Sequence, residues 1–330
     1  MIHQYKSNGY NIVMDVNSGS VHVVDDIVYD MIPLVEPLVT EGIKDADTIK
    51  AAVLNLANIP YPQEEITEAV DEVLELEKAG QLFAPDIYEN YIFDFKKRQT
   101  VVKALCLHIA HDCNLACRYC FAEEGEYHGR RALMSLEVGK KALDFLVANS
   151  GKRRNLEVDF FGGEPLMNWQ VVKDLVAYGR EQEKLHDKHF RFTVTTNGVL
   201  LNDEIQEFIN KEMDNVVISL DGRKEVNDRM RPFRNGKGSY DLIVPKFQKL
   251  ADSRNQERYY IRGTFTRNNL DFSEDVKHFA ELGFKQMSIE PVVGDESDPY
   301  AIREEDLPQI FDEYDKLARY IIEKDKEGEG

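Results

Sequence analysis

The chain has 330 residues, 42% of them hydrophobic, and a net charge of −19 at pH 7. That length suits about two domains of ~100–200 residues each, and no run approaches the ~18 apolar residues of a membrane span. Such acidity argues against nucleic acid as the main partner, because phosphate backbones require basic surface. The charge is uneven: residues 1–90 carry 4 Lys, no Arg and 17 Asp plus Glu, a net −13, which marks a separate N-terminal domain. Within it, residues 1–24 read as β-structure. Tyr10, Ile12, Met14 and Val16 alternate with Asn11, Val13 and Asp15. Asn8-Gly9 signals a hairpin turn and Asn17-Ser-Gly-Ser20 a second, leaving a third strand over Ser20–Val24. Helices follow. Asp25 caps a short one through Ile27, Val28 and Met31 that Pro33 and Pro37 should disturb; Asp45 or Asp47 caps another through Ile49, Val53 and Leu56. A third covers 62–79, with Ile66, Val70, Val73 and Leu74 on one face and Gly80 as its stop.

Three short strands followed by three helices resemble a winged-helix unit. Such units often bind DNA, but a domain without arginine at −13 would repel it. The order is similar to the RiPP recognition element of peptide-modifying enzymes. That resemblance implies that a leader peptide adds as a strand to the free edge of the third strand, here Ser20, Val21, His22, Val23 and Val24, walled by the 62–79 helix. The physics is β-augmentation, in which unpaired backbone groups supply affinity. This small α+β domain is expected over 1–82. Residues 83–100, with Phe83, Tyr88, Tyr91, Phe93 and Phe95, are too aromatic for a flexible linker and read as a packed connector.

From 101 to 330 strand and helix alternate. Strands are expected at 103–110, 156–161, 190–196, 215–220, 259–265 and 285–293, with helical patterns between them, such as 135–149 capped by Ser135. Six such units make an α/β domain with a parallel, barrel-like sheet. After the first strand comes His111-Asp-Cys-Asn-Leu-Ala-Cys-Arg-Tyr-Cys-Phe121, placing Cys113, Cys117 and Cys120 in a C-x3-C-x2-C spacing. Three thiolates cannot all pair as disulfides, but they can hold three irons of a four-iron cluster. A structural zinc site would need a fourth ligand, which His108, His111 or His128 could supply, yet no second cysteine hook exists. Cys106, in an apolar run, reads as a small buried hydrophobe.

The cysteine run closely resembles that of the radical S-adenosylmethionine (SAM) enzymes. The resemblance implies a partial (β/α)6 barrel, a [4Fe–4S] cluster on Cys113, Cys117 and Cys120, and SAM bound at the C-terminal ends of the strands. Strand two runs into Phe161-Gly162-Gly163-Glu164-Pro165, whose glycines admit close backbone approach and whose carboxylate can accept from an ammonium; the family places the methionine amino group there. Thr196 and Asn197 end strand three, and Ser219 and Asp221 end strand four. These are turn chemistry or partners for the ribose and methionine carboxylate. Arg262 on strand five matches the family's basic residue facing that carboxylate, with a surface ion pair as its alternative. Pro291 and Val292 resemble the segment under the adenine, which Tyr119 would cover from the cluster side.

The opening residues, the cluster run and Asn227-Asp-Arg-Met-Arg-Pro-Phe-Arg-Asn-Gly236 together resemble the SPASM-type maturases of six-cysteines-in-forty-five peptides. What this implies is a thioether between a cysteine sulfur and an α-carbon of a cysteine-rich ribosomal peptide presented by its leader. It also implies an electron donor such as flavodoxin or ferredoxin, and a cytoplasmic setting without nucleic acid or membrane. The chain departs from that pattern in having no cysteine after Cys120, so the auxiliary-cluster domain is expected to be absent. Peptide epimerisation, carbon–carbon crosslinking, or peptide binding without catalysis share the same motifs.

Overall fold

A computed structural model describes residues 1–56, 60–89 and 100–328. The chain divides into two compact units, Met1–Arg98 and Gln99–Gly330. Most of the expected connector, residues 90–99, lies outside the described residues; Phe83, at its start, packs against the core of the first unit.

The first unit is a three-stranded antiparallel sheet, β1 (Ile2–Ser7), β2 (Tyr10–Asp15) and β3 (Ser20–Val24), in the order β1-β2-β3. Asn8 and Gly9 both have positive φ, as a two-residue hairpin turn requires. Three helices cover one face: α1 (Asp26–Thr40), α2 (Ala46–Leu54) and α3 (Gln63–Lys78). Asp25 and Asp45 cap α1 and α2 through the Val28 and Thr48 amides. Gly80, in the left-handed region, stops α3, and the Gln81 amide closes back on the Leu76 carbonyl. Val13, Met31, Ile32, Val35, Val53, Val70 and Val73 form the core.

One expectation fails here. Pro33 and Pro37 do not interrupt α1, which runs unbroken through both. Pro33 has no N–H for the Tyr29 carbonyl four residues back. The Gln4 side chain on β1 donates to that carbonyl instead, at 2.8 Å. A tertiary hydrogen bond thus replaces the one the ring removes.

The second unit holds six parallel strands with helices on one side: β4 (Ala104–His111), β6 (Asn155–Gly162), β7 (His189–Thr196), β8 (Asn215–Ser219), β9 (Tyr259–Phe265) and β10 (Met287–Pro291). A two-residue strand, β5 (Ala132–Leu133), pairs antiparallel with β4, so the order is β10-β9-β8-β7-β6-β4-β5. Neighbours in sequence are neighbours in the sheet, as short crossovers favour. The helices are α4 (Leu136–Asn149), α5 (Trp169–His186), α6 (Asp203–Glu212), α7 (Lys224–Met230), α8 (Tyr240–Ser253), α9 (Phe272–Glu281) and α10 (Leu307–Glu327). Their apolar faces bury Leu107, Ile109, Val158, Phe160, Phe192, Val194 and Ile218, the positions of one strand parity. The opposite parity faces the barrel lumen. Cys106 belongs to it and is exposed, not buried as its apolar neighbours in sequence suggested. Among the described residues no helix is long and apolar enough to cross a membrane.

Candidate active site

The C-terminal ends of the strands enclose a cavity of about 630 Å³. Cys113, Cys117 and Cys120 line it, with Tyr119, Gly162, Gly163, Thr196, Asn197, Ser219, Arg262, Pro291 and Val292. The parallel sheet thereby brings together residues scattered over 180 positions of sequence.

The cysteine loop is held on several sides by backbone. The Ala116 and Arg118 amides donate to the Pro232 and Met230 carbonyls, at 2.9 Å each. The Gly163 amide donates to the Ala110 carbonyl at 2.7 Å, and the Glu164 amide to the Asp112 carbonyl at 2.9 Å. This is a close approach that only glycine permits: a Cβ on Gly163 would lie 2.2 Å from the Asp112 oxygen, and one on Gly162 would lie 2.5 Å from the Ala110 oxygen. The glycine pair therefore serves the cluster loop as well as the cavity wall.

Glu164, Pro165 and Asp221 are not among the cavity-lining residues. The Glu164 carboxylate is fully buried and accepts from the Leu166 amide, the Thr196 hydroxyl and the Asn197 amide, at 3.0, 2.7 and 2.8 Å. It ties the end of β6 to the end of β7, leaving the glycine backbone to face the cavity. Asp221, also fully buried, accepts from the Tyr119 hydroxyl at 2.6 Å and from the Thr264 amide at 3.2 Å. Burial raises both carboxyls, against the pull of these donors and of Arg231.

Arg262 faces the cavity with about half its side chain exposed and pairs with Glu290 on β10 at 2.5 Å. The ion pair expected as the alternative is present, and it stands in the cavity wall.

Two arginines went unassigned in the sequence because their run was seen only as a signature. Arg231 is buried, with 11% of its side chain exposed, and donates to the Tyr119 hydroxyl at 2.8 Å. Arg234 donates to the Cys113 carbonyl at 2.6 Å and meets Asp112 at 3.2 Å. The signal was available: three arginines in six residues, at the end of the helix that follows β8.

The donor chemistry fits an iron–sulfur cluster. The Leu115 amide and the Asn197 side chain donate to the Cys113 sulfur, at 3.5 and 3.6 Å. Burial pushes the Cys113 thiol up to about 12 and the Cys117 thiol up to about 11, so a metal is what makes them thiolates. Among the described residues no three His, Cys, Asp or Glu side chains close on a single ion. A four-iron cluster asks for something else, one cysteine to each of three irons.

Residues 107–255 match the radical SAM superfamily. That stretch is a radical SAM domain. Its cofactors are a [4Fe–4S] cluster and SAM, and Cys113, Cys117 and Cys120 in the cavity wall are the residues that would hold the cluster. An uncharacterised protein of Methanocaldococcus jannaschii is 32% identical over 191 residues, 57% of this chain and 62% of that protein. The radical SAM cyclopropyl synthase TigE of Paramaledivibacter caminithermalis is 25% identical over 192 residues, 54% of this chain and 39% of its own. The matched stretch thus spans less than two thirds of either relative. The solved structure of anSMEcpe with bound AdoMet and the Kp18Cys peptide superposes with a TM-score of 0.60 at 19% identity, covering 70% of this chain and 62% of that one. This last likeness is one of fold: the radical SAM domain of this chain shares its α/β partial barrel.

Proposed function

We propose that the chain modifies a cysteine-rich ribosomal peptide, joining a cysteine sulfur to an α-carbon as a thioether. Bound together, the cluster and SAM supply a 5′-deoxyadenosyl radical that removes a hydrogen atom from substrate. The protein's part is to hold SAM, exclude water and present the peptide. The backbone of Gly162 and Gly163 would receive the methionine amino group. Arg262, Ser219, Thr196 and Asn197 would serve its carboxylate and ribose, and Pro291 and Val292 the adenine, all of them lining the cavity.

The observation that carries the peptide reading is the outer edge of β3, which among the described residues pairs with β2 alone. Val21 and Val23 are 60% and 65% exposed there, while Ser20, His22 and Val24 are half-buried. A free edge with alternating apolar side chains is the surface to which an extended peptide adds. The peptide seen with anSMEcpe is consistent with a substrate of this class, on a shared fold.

The test uses the full chain, reconstituted anaerobically, with SAM, dithionite and a synthetic cysteine-rich peptide carrying a leader with alternating apolar residues and lysines. A product lighter by two hydrogens, with one thiol lost per crosslink and an added one-electron acceptor reduced, supports the proposal. Val23→Pro should weaken peptide binding while SAM cleavage without peptide continues. A product of unchanged mass with inverted residues would replace the thioether by epimerisation. Equal peptide affinity in Val23→Pro would remove β3 from recognition.

A further inference from the structure

Among the residues lining the cavity, the cations are Arg231 and Arg262. They are not equivalent. Arg262 is half exposed and has Glu290 as its partner. Arg231 is buried, and its Nε, inaccessible to solvent, has no hydrogen-bond partner. Its Nη1 already donates to the Tyr119 hydroxyl, and lies 3.7 Å from Asp221. Leaving a buried guanidinium donor unmatched is costly, so its position implies an acceptor that the polypeptide does not provide. The residues flanking Arg231, Met230 and Pro232, accept from the Arg118 and Ala116 amides that flank Cys117, at 2.9 Å each, and Arg231 and Cys117 line the same cavity. Arg234 instead reaches the Cys113 carbonyl, Asp112 and Glu124.

We infer that Arg231 sets the reduction potential of the cluster, its Nε–H donating to sulfur on the Cys117 side. A cluster on three thiolates is anionic before reduction, and each added electron deepens that charge inside a pocket of low dielectric. A buried cation stabilises the reduced form more than the oxidised one, so it raises the potential. Asp221, which does not line the cavity, works against it and also fixes the guanidinium through Tyr119. Arg231 is therefore a potential-setting residue, which lets a low-potential one-electron donor reduce the cluster. This rests on the cluster alone and is independent of the peptide reading.

Removing Arg231 alone would strand Asp221, so the informative variant is Arg231→Gln with Asp221→Asn. Wild type, this double variant and Arg231→Lys are loaded with iron and sulfide and titrated reductively without SAM. The reduced cluster is followed by electron paramagnetic resonance. At a fixed solution potential, the reduced-to-oxidised ratio of the double variant should fall about tenfold, about 59 mV for one electron. Arg231→Lys, which keeps the charge, should stay within about threefold of wild type. A fully loaded double variant with an unchanged potential overturns the inference. Should it not load, wild-type protein labelled with 15N-guanidino arginine decides: the reduced cluster should show a 15N coupling by pulsed resonance, and its absence overturns the inference equally.

Discussion

At the scale of single residues, the site is defined by how closely backbones approach. Gly163 could be taken as a wall of the SAM pocket alone, so that a larger residue would exclude SAM and spare the cluster. The 2.2 Å separation between its absent Cβ and the Asp112 oxygen gives a different outcome. Gly163→Ala should displace the start of the cysteine loop and lower iron content as well as SAM binding. Iron assay beside SAM titration distinguishes the two; full iron with lost SAM binding would restore the simpler view. Asp159 offers a second test. Burial pushes its carboxyl up to about 6, with the Thr195 hydroxyl and Arg262 pulling it down. An acid whose folded pKa exceeds its unfolded value of about 3.8 costs stability when ionised. The cost is nil below that value and grows as pH rises toward about 6. Asp159→Asn should therefore raise Tm at about pH 7.5 and lose that gain near pH 4. An equal gain at both pH values would refute the assignment.

At the scale of elements, strands were readable and the exceptions are instructive. All six parallel strands fall where apolar runs placed them, because helices cover one face and the lumen only partly hides the other. Ser20–Val24 was legible from turn chemistry on its N-terminal side. Cys106 was not: four strand positions of one parity look alike in sequence, whether helix or lumen receives them. Nor was Arg231, whose hydrogen-bond partner Tyr119 lies 112 residues before it. Glu164 was read as facing ligand and Asp221 as either turn or ligand chemistry, since sequence shows that a carboxylate stands at a strand end but not which way it turns. Helix α1 survives its prolines through Gln4, and this too can be checked. Gln4→Leu should cost about 1 kcal/mol in denaturant unfolding by freeing the Tyr29 carbonyl. A Leu variant as stable as wild type would mean that water serves that carbonyl as well.

At the scale of the whole molecule, charge is the organising asymmetry. Residues 1–90 carry −13 of the total −19. A leader peptide suited to the β3 edge should therefore bear lysines beside its alternating apolar residues. Its association should weaken between about 0.05 and 0.5 M salt, where the screening length contracts from above 10 Å to below 5 Å. Fluorescence anisotropy of a labelled leader on the full chain measures this directly. Affinity indifferent to salt would assign binding to apolar contact alone.

The strand order has a consequence for how a substrate gets in. Because β4 and β5 stand at one end of the sheet and β10 at the other, no ladder among the described residues joins them, and the sheet around the lumen has a seam along its length. A closed cylinder can be loaded only through its mouths, so a chain must offer a tip or a tight loop. A split one can be loaded from the flank, with an interior residue resting at the cavity while both ends of the chain remain outside. A peptide cyclised head to tail, or carrying a folded protein at each terminus, should then turn over about as fast as its linear counterpart. Rejection of both would mean that the peptide must be threaded.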